Sequence, residues 1–148
     1  MLDVVAPDAP SRNHAALCGI ESAAKQRPPA FFTEAVRALI TPGNFEDDLG
    51  AIQHCDWIVE AVTEKLDVKR ALFERVALWR RPGTIVSTNT SGIPLASIAD
   101  GFSVEFRRHF LGTHFFNPPR YLYLVEVIPT PETGGETLDR VTEFCDVR

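Results

Sequence analysis

Trp57-Ile58-Val59-Glu60-Ala61-Val62 is a short, β-branched apolar run bounded by polar residues, and it reads as a central strand of a sheet. The period then changes. Val68, Ala71, Leu72, Val76 and Trp79 recur at intervals of three and four, which predicts a helix with one apolar stripe that stops at Arg80-Arg81-Pro82-Gly83. Thr84 to Ser87 is the next strand, with Asn89-Thr90-Ser91-Gly92 at its carboxyl end, and Leu95 to Ala99 adds one or two helical turns. Strand, long crossover and strand predict parallel pairing with helices on the faces of the sheet.

The same alternation continues outward in both directions. Leu2 to Val5 reads as the end of a buried strand, and Ser11 or Asn13 caps a helix running to about Gln26. Phe31 to Ile40 predicts a shorter helix, Thr41-Pro42-Gly43-Asn44 a loop or very short strand, and Asp47-Asp48 the charged first turn of a short helix ending near His54. Leu111 to Phe116 and Leu122 to Ile128 are two further strands, joined by Asn117-Pro118-Pro119-Arg120-Tyr121, where two prolines exclude a sheet ladder. Thr133 caps a last helix through Leu138, Val141 and Phe144. The fold class is therefore α/β, a doubly wound and mostly parallel sheet.

The chain has 148 residues, 45% apolar and 24% charged, enough for one soluble domain with its own core. Fifteen Lys and Arg against twenty Asp and Glu give a net charge of -5, which argues against a phosphate-driven nucleic-acid binder. Cys18, Cys55 and Cys145 are odd in number and lack both a C-x-x-C and a zinc spacing, so each reads as a reduced apolar filler and no metal is expected. No segment approaches the roughly 18 uninterrupted apolar residues of a membrane span. The expected location is a reducing cytosol, with no membrane partner. A doubly wound sheet ordinarily begins with a strand and a glycine-rich turn, yet the nine glycines nowhere form G-x-G-x-x-G. The expectation is one partial domain over 1–148, truncated at the N-terminus.

Chemistry concentrates in Gly112-Thr113-His114-Phe115-Phe116-Asn117-Pro118-Pro119 and Leu124-Val125-Glu126-Val127-Ile128. Folding these strands back about Arg120 sets His114 opposite Glu126, and opposed Cβ atoms in such a ribbon lie about 4.5–5.5 Å apart. A carboxylate there holds one imidazole tautomer and stabilises the imidazolium formed on proton uptake, which describes a general base and its orienting partner. A glutamate inside an apolar run also needs a donor, because an unpartnered buried carboxylate is costly. The alternative, from the pair alone, is a half-buried histidine beside an exposed strand residue. Glu64, Ser91 and Asn117 fall just beyond strand ends, where open α/β sheets bind ligands. Ser and Asn also serve turns, and Lys69, early in a helix, is by default a solvated lysine. Asp3, ending the first strand, matches the acid that receives an adenosine ribose.

Asp56-Trp57-Ile58-Val59-Glu60-Ala61-Val62-Thr63-Glu64, Ser87-Thr88-Asn89-Thr90-Ser91 and His114-Phe115-Phe116-Asn117-Pro118-Pro119 with Val125-Glu126-Val127 together resemble the NAD-binding domain of 3-hydroxyacyl-CoA dehydrogenases. The match is ordered and spans nearly the whole chain. The resemblance implies a Rossmann-like fold and oxidation of an L-3-hydroxyacyl-CoA to the 3-ketoacyl-CoA, with hydride passing to NAD, in fatty-acid β-oxidation. It assigns His114 as base, Glu126 as its orienter, and Ser91 and Asn117 to the reacting oxygen. Glu64, Lys69, Asn89, Ser91 and Asp3 become cofactor contacts, Asp3 favouring NAD over its 2′-phosphorylated form, and Arg12 and Lys25 become CoA contacts. It also implies a helical C-terminal domain, absent here, and a parent that is a homodimer or part of a multifunctional enzyme. On this reading the isolated chain is inactive. The alternatives are a related hydroxy-acid or polyol dehydrogenase of the gulonate type, or a non-catalytic interaction remnant of the fold.

Overall fold

A computed structural model describes residues 1–146; positions 147 and 148, which the expected 1–148 domain includes, lie outside the described residues. The chain divides into two compact units, Met1–Ala51 with Asn117–Tyr123, and Ile52–Phe116 with the residues from Leu124 on. No helix among the described residues is long and apolar enough to cross a membrane.

In the first unit, β1 (Leu2–Asp3) pairs in parallel with β2 (Gly43–Asn44), and α1 (His14–Lys25) buries Ala16 and Ile20. The predicted helix over 31–40 shrinks to α2 (Glu34–Arg37), because the Thr33 hydroxyl accepts from the Val36 amide and so starts the helix later. Asn44 is 1% exposed. Its amide donates to Asn13 Oδ1 at 2.6 Å, and its Oδ1 accepts from the Glu46 and Asp47 amides. A Cβ at Gly43 would come within 2.8 Å of both Asp48 Oδ2 and Leu2 Cδ2, so this close approach requires glycine. Asp47 and Asp48 are therefore turn anchors, and the short helix that they precede is a 3₁₀ segment, Leu49–His54.

The second unit carries β3 (Trp57–Glu60), β4 (Ile85–Thr88), β5 (Phe110–Phe115) and β6 (Val125–Pro129), ordered β3-β4-β5-β6, the first three parallel and β6 antiparallel to β5. α3 (Leu66–Trp79) forms the crossover between β3 and β4; α4 (Leu95–Ala99) and α5 (Val104–Arg108) lie between β4 and β5. α6 (Gly135–Cys145) follows β6. Strand alternation sends Ile85 and Leu111 to one face, where they pack with Val141 of α6. Val86 and Phe110 face the other way, and Phe73 of α3 meets the rings of Phe106 and Phe110 there at 6.0 and 5.5 Å.

Four expectations are corrected. β3 is the edge of its sheet rather than a central strand, with Val59 exposed, because a β-branched run reports strand propensity and not the number of hydrogen-bonded neighbours. The buried face of α3 is Lys69, Phe73 and Val76; of the expected stripe Val76 is buried and Leu72 half-buried, whereas Val68, Ala71 and Trp79 are exposed. A pattern rule that sends charge outward cannot place Lys69, which is buried because it is paired. β6 begins at Val125 rather than Leu122. Gly134, not Thr133, caps α6; the Thr133 hydroxyl instead donates to the Phe110 carbonyl at 2.7 Å.

Candidate active site

Because β3, β4 and β5 run parallel, their carboxyl ends share one edge of the sheet, where loops carry ligand-binding groups. His114 is the fifth residue of β5 and Glu126 the second of β6, and the two are register partners. Nδ1–H of His114 donates to Glu126 Oε2 at 2.7 Å. That bond fixes the tautomer and leaves Nε2 with its lone pair and no hydrogen-bond partner among the described residues. The register is as expected from the sequence, but the burial premise is corrected. The Glu126 side chain is 52% exposed, because β6 is an edge strand with one covered face.

The β4–α4 turn is held from below. Glu64 Oε1 accepts from the Thr90 hydroxyl and from the amides of Ser91 and Gly92, at 3.2 and 2.9 Å for the amides. These donors, Thr90 first and then Gly92, hold the Glu64 carboxyl down at about 2, well below the ordinary value, with Lys69 adding to them. The Ser91 hydroxyl has no hydrogen-bond partner among the described residues and stays available to a ligand. Asn89 ties the neighbouring strands together: its backbone N–H donates to the Glu60 carbonyl at 2.8 Å, and its Oδ1 accepts from the Phe115 amide at 3.0 Å. The amide nitrogen of Asn89 has no hydrogen-bond partner among the described residues.

Lys69 is not the solvated residue that its position suggests. It is 1% exposed, donating to both oxygens of Glu60 at 2.8 and 3.0 Å and lying 3.4 Å from Glu64 Oε2. Glu60, Thr88 and Thr90 are the site-building residues that sequence reasoning missed. The signal was present, since Glu60 interrupts an apolar run just as Glu126 does and needs a donor for the same reason.

The remaining candidates lie in the first unit. Asp3 Oδ1 accepts from the Val4 amide at 2.7 Å, and Oδ2 has no hydrogen-bond partner among the described residues. Arg12 forms a bidentate pair with Asp47 at 2.5 and 2.8 Å; Arg12 and then Asn44 hold the Asp47 carboxyl below its ordinary value. Lys25 is exposed and lies 3.9 Å from Glu21. Asn117 belongs to the connection that Arg120 anchors through the carbonyls of Pro29 and Phe31 at 2.9 and 2.7 Å.

Each unit by itself offers groups of the kind a dinucleotide needs: in the first, Asp3 Oδ2, without a hydrogen-bond partner among the described residues, suits a ribose diol; in the second, the Asn89 amide nitrogen suits a ring carboxamide. A parallel sheet with helices on both faces and a histidine–carboxylate pair at its carboxyl edge is the domain of a Rossmann-type dehydrogenase. The comparisons narrow this class. The model of the family described as 3-hydroxyacyl-CoA dehydrogenase, NAD binding domain, matches residues 3–147. A probable 3-hydroxyacyl-CoA dehydrogenase of Deinococcus radiodurans is 47% identical over 99% of this chain and 42% of its own length. A putative fatty acid oxidation complex trifunctional enzyme of Rickettsia felis is 35% identical over 97% of the chain and 20% of its own length. The crystal structure of (S)-3-hydroxybutyryl-CoA dehydrogenase from Ralstonia eutropha superposes with a TM-score of 0.71 at 26% identity, over 98% of this chain and 50% of that one. The chain belongs to the NAD-binding domain family of the 3-hydroxyacyl-CoA dehydrogenases, and spans less than half the length of these curated relatives.

Proposed function

We propose that this domain serves the oxidation of an L-3-hydroxyacyl-CoA to the 3-ketoacyl-CoA. The observation that carries this reading is the 2.7 Å bond from His114 Nδ1–H to Glu126 Oε2, which turns Nε2 into a proton acceptor at the sheet edge. His114 Nε2 takes the substrate hydroxyl proton, and Glu126 stabilises the imidazolium that results. The Ser91 hydroxyl binds the reacting oxygen, assisted by Asn117. Asp3 holds the adenosine ribose, Asn89 offers its amide to the nicotinamide carboxamide, and Glu64 and Lys69 support that half of the site. Arg12 and Lys25 are proposed contacts for the CoA moiety. NAD, when bound, supplies the hydride acceptor.

Turnover belongs in our reading to a longer protein, a homodimer or a multifunctional enzyme of fatty-acid β-oxidation, with this chain inactive by itself. Two observations support that: the relatives are more than twice as long, and no G-x-G-x-x-G turn for the pyrophosphate occurs in these 148 residues. The three free thiols suit a reducing cytosol. We read residues 1–148 as part of one NAD-binding domain.

The test is a substrate panel on the full-length protein that carries this domain, following NADH formation. L-3-Hydroxybutyryl-CoA turned over far faster than free 3-hydroxybutyrate or gulonate supports the proposal. Preference for the free acids assigns the site to the polyol and hydroxy-acid dehydrogenases. No turnover of any hydroxyl substrate by a folded protein overturns the catalytic reading.

A further inference from the structure

Glu60 ends β3 and is 4% exposed; Lys69, in the first turn of α3, is 1% exposed. Charges this deep persist only when paired and hydrogen-bonded. Glu60 meets that condition fully, accepting from the Lys69 ammonium, from the Val62 amide at 2.5 Å and from the Thr88 hydroxyl at 2.6 Å. The proton-transfer scheme gives it no task.

The task follows from charge competition. Two carboxylates face Lys69: Glu60, which it bonds through both oxygens, and Glu64, whose Oε2 lies 3.4 Å away. Glu64 has a second commitment, since its Oε1 receives the three donors of the Thr90–Gly92 turn. With Glu60 in place, the ammonium is already neutralised and Glu64 remains over the turn. With Glu60 uncharged, the buried ammonium keeps the neutral Val62 carbonyl at 3.4 Å and has Glu64 as its remaining carboxylate, and it pulls that half-exposed group inward, off the turn. An apolar pair would pack β3 against α3 equally well, so packing alone does not call for these charges.

We propose that Glu60 is a positioning residue of the reaction: by saturating Lys69 it leaves Glu64 to the Thr90–Gly92 turn and so fixes Ser91, a reading that rests on the role of Ser91 proposed above.

The experiment uses the full-length protein with Glu60→Gln, Ser91→Ala and both together, and reads hydrogen exchange at the Ser91 and Gly92 amides alongside kcat. Glu60→Gln is expected to speed exchange at both amides and to lower kcat by roughly tenfold, within the range that a displaced active-site group produces. In the Ser91→Ala background the same substitution is expected to cost no further activity. A Glu60→Gln/Lys69→Met double substitution removes the pull and is expected to return both exchange rates toward wild type; it also decides the matter if Glu60→Gln alone does not fold. An equal loss of kcat in both backgrounds, unchanged exchange in Glu60→Gln, or fast exchange in the double substitution overturns the proposal. Undiminished kcat in Ser91→Ala overturns it through its premise; a Glu60→Gln exchange response beside that result shows that the charge link stands and that Ser91 has no part in the reaction.

Discussion

His114 and Glu126 occupy directly opposed register positions on antiparallel strands, with Nδ1 and Oε2 2.7 Å apart. The backbone ladder sets their spacing, and the side-chain bond that this spacing allows fixes the imidazole tautomer. Glu126→Gln keeps the volume and removes the charge, so the imidazolium loses its stabilising partner. In the full-length protein kcat is expected to fall roughly 10²-fold, within the range for disabling a general base, with the affinity for NADH unchanged. Steady-state kinetics paired with an NADH titration checks both halves.

Acid stability follows Glu64. Its folded-state carboxyl is lowered from 4.5 to about 2, so the folded state favours the charged form. The contribution is therefore fully present above pH 4.5 and is lost as the pH falls from there toward about 2. The side chain is 45% exposed, so solvent screens part of it. Thermal melts should show Glu64→Gln less stable than wild type at neutral pH, with the gap narrowing below pH 4.5. A gap constant down to pH 3 contradicts the assignment.

The two faces of α3 make opposite predictions. Phe73 is 0% exposed against Phe106 and Phe110, and Phe73→Ala should cost about 3–5 kcal/mol. Trp79 is 52% exposed, and Trp79→Ala should cost under about 1 kcal/mol. Urea denaturation of both variants distinguishes this face from the stripe that the spacing alone suggests.

The Asn44 side chain joins β2 to Asn13 and Asp47 and receives the Glu46 and Asp47 amides, and its truncation removes these part-buried hydrogen bonds. Asn44→Ala should cost about 1–3 kcal/mol. Faster hydrogen exchange at the Glu46 and Asp47 amides, which donate to Asn44 Oδ1, would locate the effect.

Reading the sequence recovered the order of elements and the His114–Glu126 register, because a period of two and a symmetric turn are enough to pair strands. It placed Ser91 and Glu64 beyond strand ends for the same reason. It missed Val104–Arg108, too short for a periodic signal, although Ser103 caps it through the Phe106 amide. The burial of Lys69 and Arg80 was invisible because it depends on partners far along the chain: Glu60 lies nine residues before Lys69, and Glu105 twenty-five after Arg80. Hydrophobic patterning treats each charge alone, whereas the fold gives each of these buried cations a carboxylate partner, buried for Lys69 and half-exposed for Arg80. Asn89 was expected to serve the cofactor, and its second task of tying β4 to Phe115 became visible only once the strands were adjacent.

The central claim is that His114 Nε2 is the proton acceptor. The most direct measurement is kcat for NADH formation from L-3-hydroxybutyryl-CoA by the full-length protein carrying His114→Ala, with NADH affinity measured on the same sample. The account predicts a loss of roughly 10²–10⁴-fold in kcat with the affinity intact. A folded variant that binds NADH and turns over within about threefold of wild type contradicts it.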